Sequence, residues 1–285
     1  MYFYFSGLKD QRDVAALRAQ GVTHVLVDPV DLPRAATFLH VVLDSGAYRR
    51  WKLGLPYPGR AAFLTLARSR PFDAVVADDV FGDAEASFRN WLALRAECLD
   101  SPLWPVWPWG ADRAYLHAYL DGAPVVGIGG LVPLLRNRQR GEFPTPKAYQ
   151  NWRAERERVV NALGELASQY PGRFHAFGLC WAKALDALWN ILYSADTSHW
   201  LTPRRSGLAL YVHAQTGYLQ EAPYRALKHA TVETAVTGSI QALLTFRPAR
   251  WACNRCGIED THRRMRLLPA AQRRCACGGR IIPEV

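Results

Sequence analysis

Three short stretches of this chain place acids directly after apolar runs: "VVLDSG" delivers Asp44 and Ser45, "VVADD" delivers Asp78 and Asp79, and "YSADTS" carries Asp196. An apolar run stopped by a polar turn reads as a buried strand that hands a carboxylate to a chain reversal. A single acid there caps the following helix more often than it reacts. Several acids at one mouth behave differently, because carboxylates sharing a pocket repel, so one keeps its proton while another stays ionised. That split suits a general acid/base working beside a nucleophile. The run "VVGIGG" adds Gly129 and Gly130, whose bare backbone lets a flat ligand approach the main chain. Trp107 and Trp109 of "PVWPWG" and His175 of "RFHAFGL" complete the set of chemically able groups at the ends of apolar runs.

A second chemistry is written in cysteines. Cys253 and Cys256 ("CNRC") are separated by 18 residues from Cys275 and Cys277 ("CAC"), and a Gly pair follows the last of them. Paired thiolates offered from two turns fit tetrahedral zinc, with His262 as a substitute ligand and two disulfides as the competing reading. Four thiolates leave no open position for water, so the expected zinc is structural. Cys98 and Cys180 stand in apolar segments and are expected as small buried hydrophobes.

The elements that must position these groups alternate along the chain. Strands are expected at "YFYFS", "HVLVDP", "TFLHVVLDSG", "FDAVVADD", "PLWPVWPWG", "PVVGIGG", "RFHAFGL" and "YSADTS". Helices are expected at "DQRDVAALRAQG", "GRAAFLTLARS", "DAEASFRNWLALRAE", "ADRAYLHAYLDG", from about Tyr149 to Tyr170, and at "AKALDALWNIL". Eight strands too apolar to have a wet face predict an α/β fold, a modified (β/α)8 barrel, with an open doubly wound sheet as the alternative. Barrel active sites lie at the C-terminal strand ends, where the acids fall. The expected division is a barrel domain over 1–205 and a helical, zinc-ribbon extension over 206–285.

Composition limits the function classes. With 285 residues and 49% hydrophobic content the chain can bury a large core, which argues against disorder. It has no apolar run of membrane-spanning length, and its opening "MYFYFSGLKDQRD" has no secretory pattern, so no membrane partner and a cytoplasmic location are expected. The net charge of +10 favours polyanionic partners. Residues 136–158 hold seven basic and three acidic side chains, among them Arg136, Arg138 and Arg140, and residues 247–285 hold nine Arg against three acids. Basic stretches interleaved with Trp and Tyr suit phosphates and stacked bases, and a pair of solvated faces is the plainer reading.

"LDSGAY", "VVADD", "VVGIGGL", "FHAFGL" and "YSADTS", in this order over an eight-stranded pattern and before a terminal four-cysteine cluster, resemble the tRNA-guanine transglycosylase superfamily. The smaller phage and bacterial enzymes that place 7-deazaguanines in DNA are the most similar branch, with the host cytoplasm as the location if a phage encodes the chain. The resemblance implies exchange of guanine for a 7-deazaguanine, such as 7-cyano-7-deazaguanine, in an intact polynucleotide through a covalent aspartyl intermediate. It implies Asp196 as nucleophile, Asp44 as acid/base and Asp79 as the carboxylate that reads the purine N–H edge. Gly129, Gly130 and Leu131 match the backbone along the bound base, and Ser45 frames the pocket. The Pro-Thr-Arg that follows the nucleophile in tRNA enzymes is replaced by "TSHWLTPRRSG", which leaves the alignment of Arg204 and Arg205 as nucleic-acid contacts open. A base-reading glutamine is replaced by "WPVWPWG", so Trp109 or Trp107 is expected to stack in its stead. DNA is the expected polymer and tRNA the alternative. A base-excising glycosylase and a non-catalytic zinc-containing adaptor are the competing functions, and a homodimer or an accessory protein stays open.

Overall fold

The computed structural model describes residues 1–56, 59–135, 140–179, 181–214, 219–246, 251–253 and 281–283. The chain divides into two compact units. One comprises Met1–Pro133, Tyr170–Leu179 and Leu192–Ser198, and the other Leu134–Gln169, Cys180–Ile191 and His199–Val285.

The first unit holds nine strands: β1 (Tyr2–Ser6), β2 (His24–Val27), β3 (His40–Leu43), β4 (Ala74–Val76), β5 (Leu103–Trp104), β6 (Val106–Pro108), β7 (Val126–Gly129), β8 (Phe174–Ala176) and β9 (Ser194–Thr197). They form one sheet in the order β5-β4-β3-β2-β1-β9-β8-β7-β6, with every neighbouring pair parallel. The expected fifth strand, "PLWPVWPWG", is therefore split. Pro105 has no N–H to give a ladder and parts β5 from β6. Val76 then pairs with Trp104 on one side of the break, and Val106 with Gly127 on the other. Both ends of the sheet meet in one chain segment, giving a nearly closed parallel barrel of eight staves. The open doubly wound alternative does not match this order.

Helices α1 (Gln11–Ala19), α2 (Ala47–Leu53), α3 (Arg60–Ala67), α4 (Ala84–Arg95) and α5 (Arg113–Gly122) belong to the same unit. Local chemistry starts several of them. Asp10 and Asp13 form a reciprocal capping box on α1, and the side chains of Asp83 and Asp112 accept backbone N–H groups at the starts of α4 and α5. Between β2 and β3 only a 3-10 turn, Leu32–Ala35, occurs.

Strand alternation fills the interior. Tyr4, Leu26, Val42, Ala74, Val76, Trp104 and Val106 form one buried cluster, with Phe177 and Tyr193 packed against it. The opposite parity, including Phe5, Val25, Val41, Leu43, Val75 and Phe174, is buried as well, which is why these strands read as continuous apolar runs. Large rings inside the barrel demand small residues beside them. A Cβ added at Gly127 would stand 2.3 Å from the Phe177 ring. Cys98, expected in the core, is instead exposed: it sits at φ 49 in the turn after α4, beyond the helix face that packs inward.

The short α6 (Leu131–Leu135) has Leu131–Pro133 in the first unit and its last two residues in the second, which also holds α7 (Pro146–Gln169) and α8 (Ala182–Leu188). After them come α9 (Thr202–Ser206), a hairpin of β10 (Leu208–Val212) and β11 (Leu219–Pro223), and α10 (Val232–Thr245). Ser239 on α10 accepts the backbone N–H of Leu210 at 3.0 Å, tying that helix to the hairpin. Arg156 lies buried between the rings of Trp152 and Trp181, 4.5 and 4.1 Å from their centroids, and donates to the Leu135 carbonyl. β12 (Trp251–Cys253) pairs antiparallel with β13 (Ile281–Pro283). Cys256, Cys275, Cys277, Cys180 and His262 lie outside the described residues, and Cys253 is described in backbone alone.

Candidate active site

Period-two alternation carries the inward parity of each strand past its end, and that places the acids. Leu26 points into the barrel, so Asp28 two residues on does so at the rim, as do Asp44 after Val42, Asp78 after Val76 and Asp196 after Ser194. Register brings the last of these home, because Asp196 pairs with Tyr4 of β1. The carboxylates expected from three strand ends therefore share one mouth, and Asp28, not anticipated from sequence, joins them.

The acids are held in unequal environments. Asp44 is half-buried, and desolvation, followed by the negative charges of Asp79, Asp196 and Asp28, pushes its carboxyl up to about 8. Asp79 is raised to about 6 by burial, against the opposing effect of the Ser45 hydroxyl, which donates to its Oδ1 at 2.7 Å. Asp44 thus holds a proton at neutral pH and Asp79 has lost most of its own. Asp196 is 5% exposed, and its Oδ1 accepts the backbone N–H of Gly178 at 2.7 Å. The Ser45 hydroxyl oxygen also accepts the Ala47 N–H at 3.1 Å, closing the turn into α2. Gly46, between them, takes φ +74 in that turn.

Two adjacent arginines on α2 pair with the other two acids of the rim, Asp28 and Asp78. Arg49 meets Asp28 at 2.8 Å. Arg50 meets Asp78 Oδ1 at 2.5 Å and donates to the Ser45 carbonyl, and Asn90 donates to the Asp78 carbonyl at 3.0 Å. Arg50 is therefore a clamp between the turns that carry Asp44 and Asp79. Sequence reasoning missed it; its one signal was the doublet "RR" directly after "SGAY", two cations in the first turns of a helix that follows a strand-end acid.

Around this mouth stand the flat groups. The Trp109 N–H donates to the Gly129 carbonyl at 3.0 Å, and its backbone lies 3.8 Å from the position of a Cβ at Gly130, so the expected glycine pair and Trp109 are neighbours. The glycines also have packing duties: a Cβ at Gly129 would meet Val106 at 2.8 Å, and Gly130 adopts φ +76. The Leu131 side chain is wholly buried, so its backbone is the part left to face a ligand. Trp107 is buried, and its indole N–H donates to the Asp112 carbonyl at 3.1 Å, which anchors the start of α5. Trp51 of α2, 55% exposed, stacks on Phe81 with ring centroids 4.1 Å apart and planes 26° apart. This pair sits on the same two βα turns as Asp44 and Asp79.

Of the expected nucleic-acid contacts, Arg204 forms an ion pair with Glu233 at 2.6 Å, and Arg205 is exposed on α9. Arg136 and Arg138 lie outside the described residues, and Arg140 is described in backbone alone, at the start of a 3-10 turn. Among the described residues no group of His, Cys, Asp and Glu could hold a metal ion, and no helix is long and apolar enough to cross a membrane. No protein-family model and no curated protein matches the chain.

Proposed function

We propose that this protein is a base-exchanging transglycosylase that replaces guanine in DNA with a 7-deazaguanine. The observation that carries the reading is the split between acids at the barrel mouth: Asp44 raised to about 8 next to Asp79 and Asp196. An Asp196 carboxylate oxygen attacks C1′ of the target nucleotide while the C1′–N9 bond breaks, and the departing base takes the Asp44 proton. In the second half, N9 of the incoming 7-deazaguanine attacks C1′, Asp196 leaves, and Asp44 recovers a proton from the N9–H. Asp79, ionised above pH of about 6, accepts from the purine N–H edge. Trp109 and the backbone of Gly129, Gly130 and Leu131 line the flat sides of the base.

A base stacked in a duplex is out of reach of a barrel mouth, so the nucleotide must be extruded at a cost of a few kcal/mol. Trp51, exposed and stacked on Phe81, offers a surface on which a neighbouring base can stack. The "LDSG…ADD…GGL…SADTS" order supports this chemistry over simple hydrolysis, and the missing Pro-Thr-Arg supports DNA over tRNA. Zinc on Cys253, Cys256, Cys275 and Cys277, and phosphate contacts by Arg136, Arg138, Arg140, Arg204 and Arg205, belong to the proposal on their sequence pattern.

The test offers duplex DNA, single-stranded DNA and tRNA carrying labelled guanine, with 7-cyano-7-deazaguanine, to the purified protein. Label release with incorporation of the deazaguanine into DNA is the expected result, and Asp196→Asn should trap no covalent adduct. Incorporation into tRNA alone would move the substrate, label release without incorporation would mark a glycosylase, and binding without either would mark an adaptor.

A further inference from the structure

Beneath the carboxylates, three polar side chains stand in line within an otherwise apolar barrel interior. His175 and Ser194 are register partners on β8 and β9, both 0% exposed, and His175 Nδ1 lies 2.8 Å from Ser194 Oγ. The other ring nitrogen, Nε2, faces Asp196 Oδ1 at 3.5 Å and, among the described residues, has no hydrogen-bond partner. Rings of Tyr4, Trp104 and Phe177 surround the imidazole, with centroids 6.2, 5.3 and 4.4 Å away. A buried polar atom among rings is costly unless something answers it, and Asp196 is the polar group it faces.

The tautomer follows from that pairing. A bare Nε2 lone pair turned toward a carboxylate would repel it, so the proton belongs on Nε2, and Nδ1 then accepts the Ser194 hydroxyl. Serine, histidine and aspartate in this order make up hydrolytic triads, where the serine reacts. Here the ends are exchanged: Ser194 is sealed in the core, and Asp196 is the member at the mouth. The Gly178 N–H and His175 Nε2 both address Oδ1. Oδ2 is left for the reaction.

We propose that His175, oriented by Ser194, is a positioning residue that holds Asp196 by Oδ1 so that Oδ2 points at the anomeric carbon. The proposal rests on Asp196 being the nucleophile. The proposal requires the 3.5 Å separation to close to a hydrogen bond when substrate fills the mouth.

His175→Leu keeps an apolar volume and removes the donor, whereas His175→Gln returns an N–H near the place of Nε2. Single-turnover adduct formation on guanine-containing DNA should fall by about tenfold to a hundredfold in the leucine variant at unchanged DNA affinity, and recover in the glutamine variant. Nitrogen-15 spectra of the imidazoles, with His175 assigned by its loss in His175→Gln, should show the Nε2-protonated form and a shift on Asp196→Asn. Wild-type adduct rates in His175→Leu, or an Nδ1-protonated ring indifferent to Asp196→Asn, would overturn the proposal. Should the leucine variant not fold, Ser194→Ala removes only a hydroxyl: a slower adduct and a moved Nδ1 resonance are expected, and no change in either counts against it. If wild-type protein forms no adduct with any polymer, base exchange is what fails, and the imidazole spectrum then decides alone whether His175 holds Asp196.

Discussion

The two ends of the barrel strands treat ionisable groups in opposite ways. At the N-terminal ends, His24 and His40 stack with centroids 4.1 Å apart, Tyr2 stacks on His24, and each imidazole has a partner: Thr23 for His24 at 2.8 Å and Asp73 for His40 at 3.1 Å. The His24 imidazole is held below its ordinary value, by burial first and by the His40 charge second. There, each imidazole is answered by a hydrogen-bonding group of the same strand ends. At the C-terminal ends, like charges are pressed together and one carboxyl is kept from ionising. Conflict of that kind costs stability and is relieved by a ligand, which is the pattern of a working site rather than of a structural one.

Breaking the conflict should have the largest effect. Asp44→Asn should slow both base departure and base entry by about 10²–10⁴-fold, measured as separate half-reactions. The same change should alter stability in a direction fixed by the sign of the shift. The folded carboxyl sits near 8 and its unperturbed value is 3.8, so the stabilisation due to this proton is complete below about pH 4 and is lost as pH rises through 8. Wild-type melting temperature should therefore decline over that interval, and Asp44→Asn should flatten the decline. A variant with normal turnover and the same pH slope would reduce Asp44 to a cap.

Next in size is the clamp. Arg50→Met leaves Asp78 buried without its cation and should cost about 3–5 kcal/mol in denaturant unfolding, while Arg50 and Asp78 replaced together by apolar residues should recover much of it. The smallest effect belongs to the other end: His40→Gln, at a half-exposed contact with Asp73, should cost under about 1 kcal/mol and leave base exchange unchanged. Equal losses at both ends would erase the distinction.

The positions of the acids were legible because two regularities point the same way: apolar runs give strands, and period two carries inward parity to the residue after the strand. Asp44, Asp78 and Asp196 follow from that, and so do the eight staves, whereas Asp79, one residue beyond Asp78, has the opposite parity and is met by the Ser45 hydroxyl. What sequence could not show was pairing across elements. Arg50 looks like any surface arginine of a helix until register brings Asp78 within reach, and His175 looks like a strand-end polar group until β8 and β9 align it with Ser194. Trp107 and Trp109 were indistinguishable by type, and only the hydrogen bond of Trp107 to Asp112 separates anchor from lining. Cys98 misled because an apolar neighbourhood in sequence hid a left-handed turn.

The break at Pro105 divides the barrel into a half of β1 to β5 and a half of β6 to β9, linked by one residue of chain there and by the β1–β9 ladder. Asp44, Asp78, Asp79, Ser45 and Arg50 all belong to the first half, and Asp196, His175 and Ser194 to the second. Neither half possesses both members of the proposed pair, Asp44 and Asp196. The mouth that gathers these carboxylates therefore forms only when Tyr2–Phe5 zips onto Ser194–Thr197, a contact between chain segments about 190 residues apart, so during synthesis Asp196 joins Asp44 only after the last barrel strand has been made.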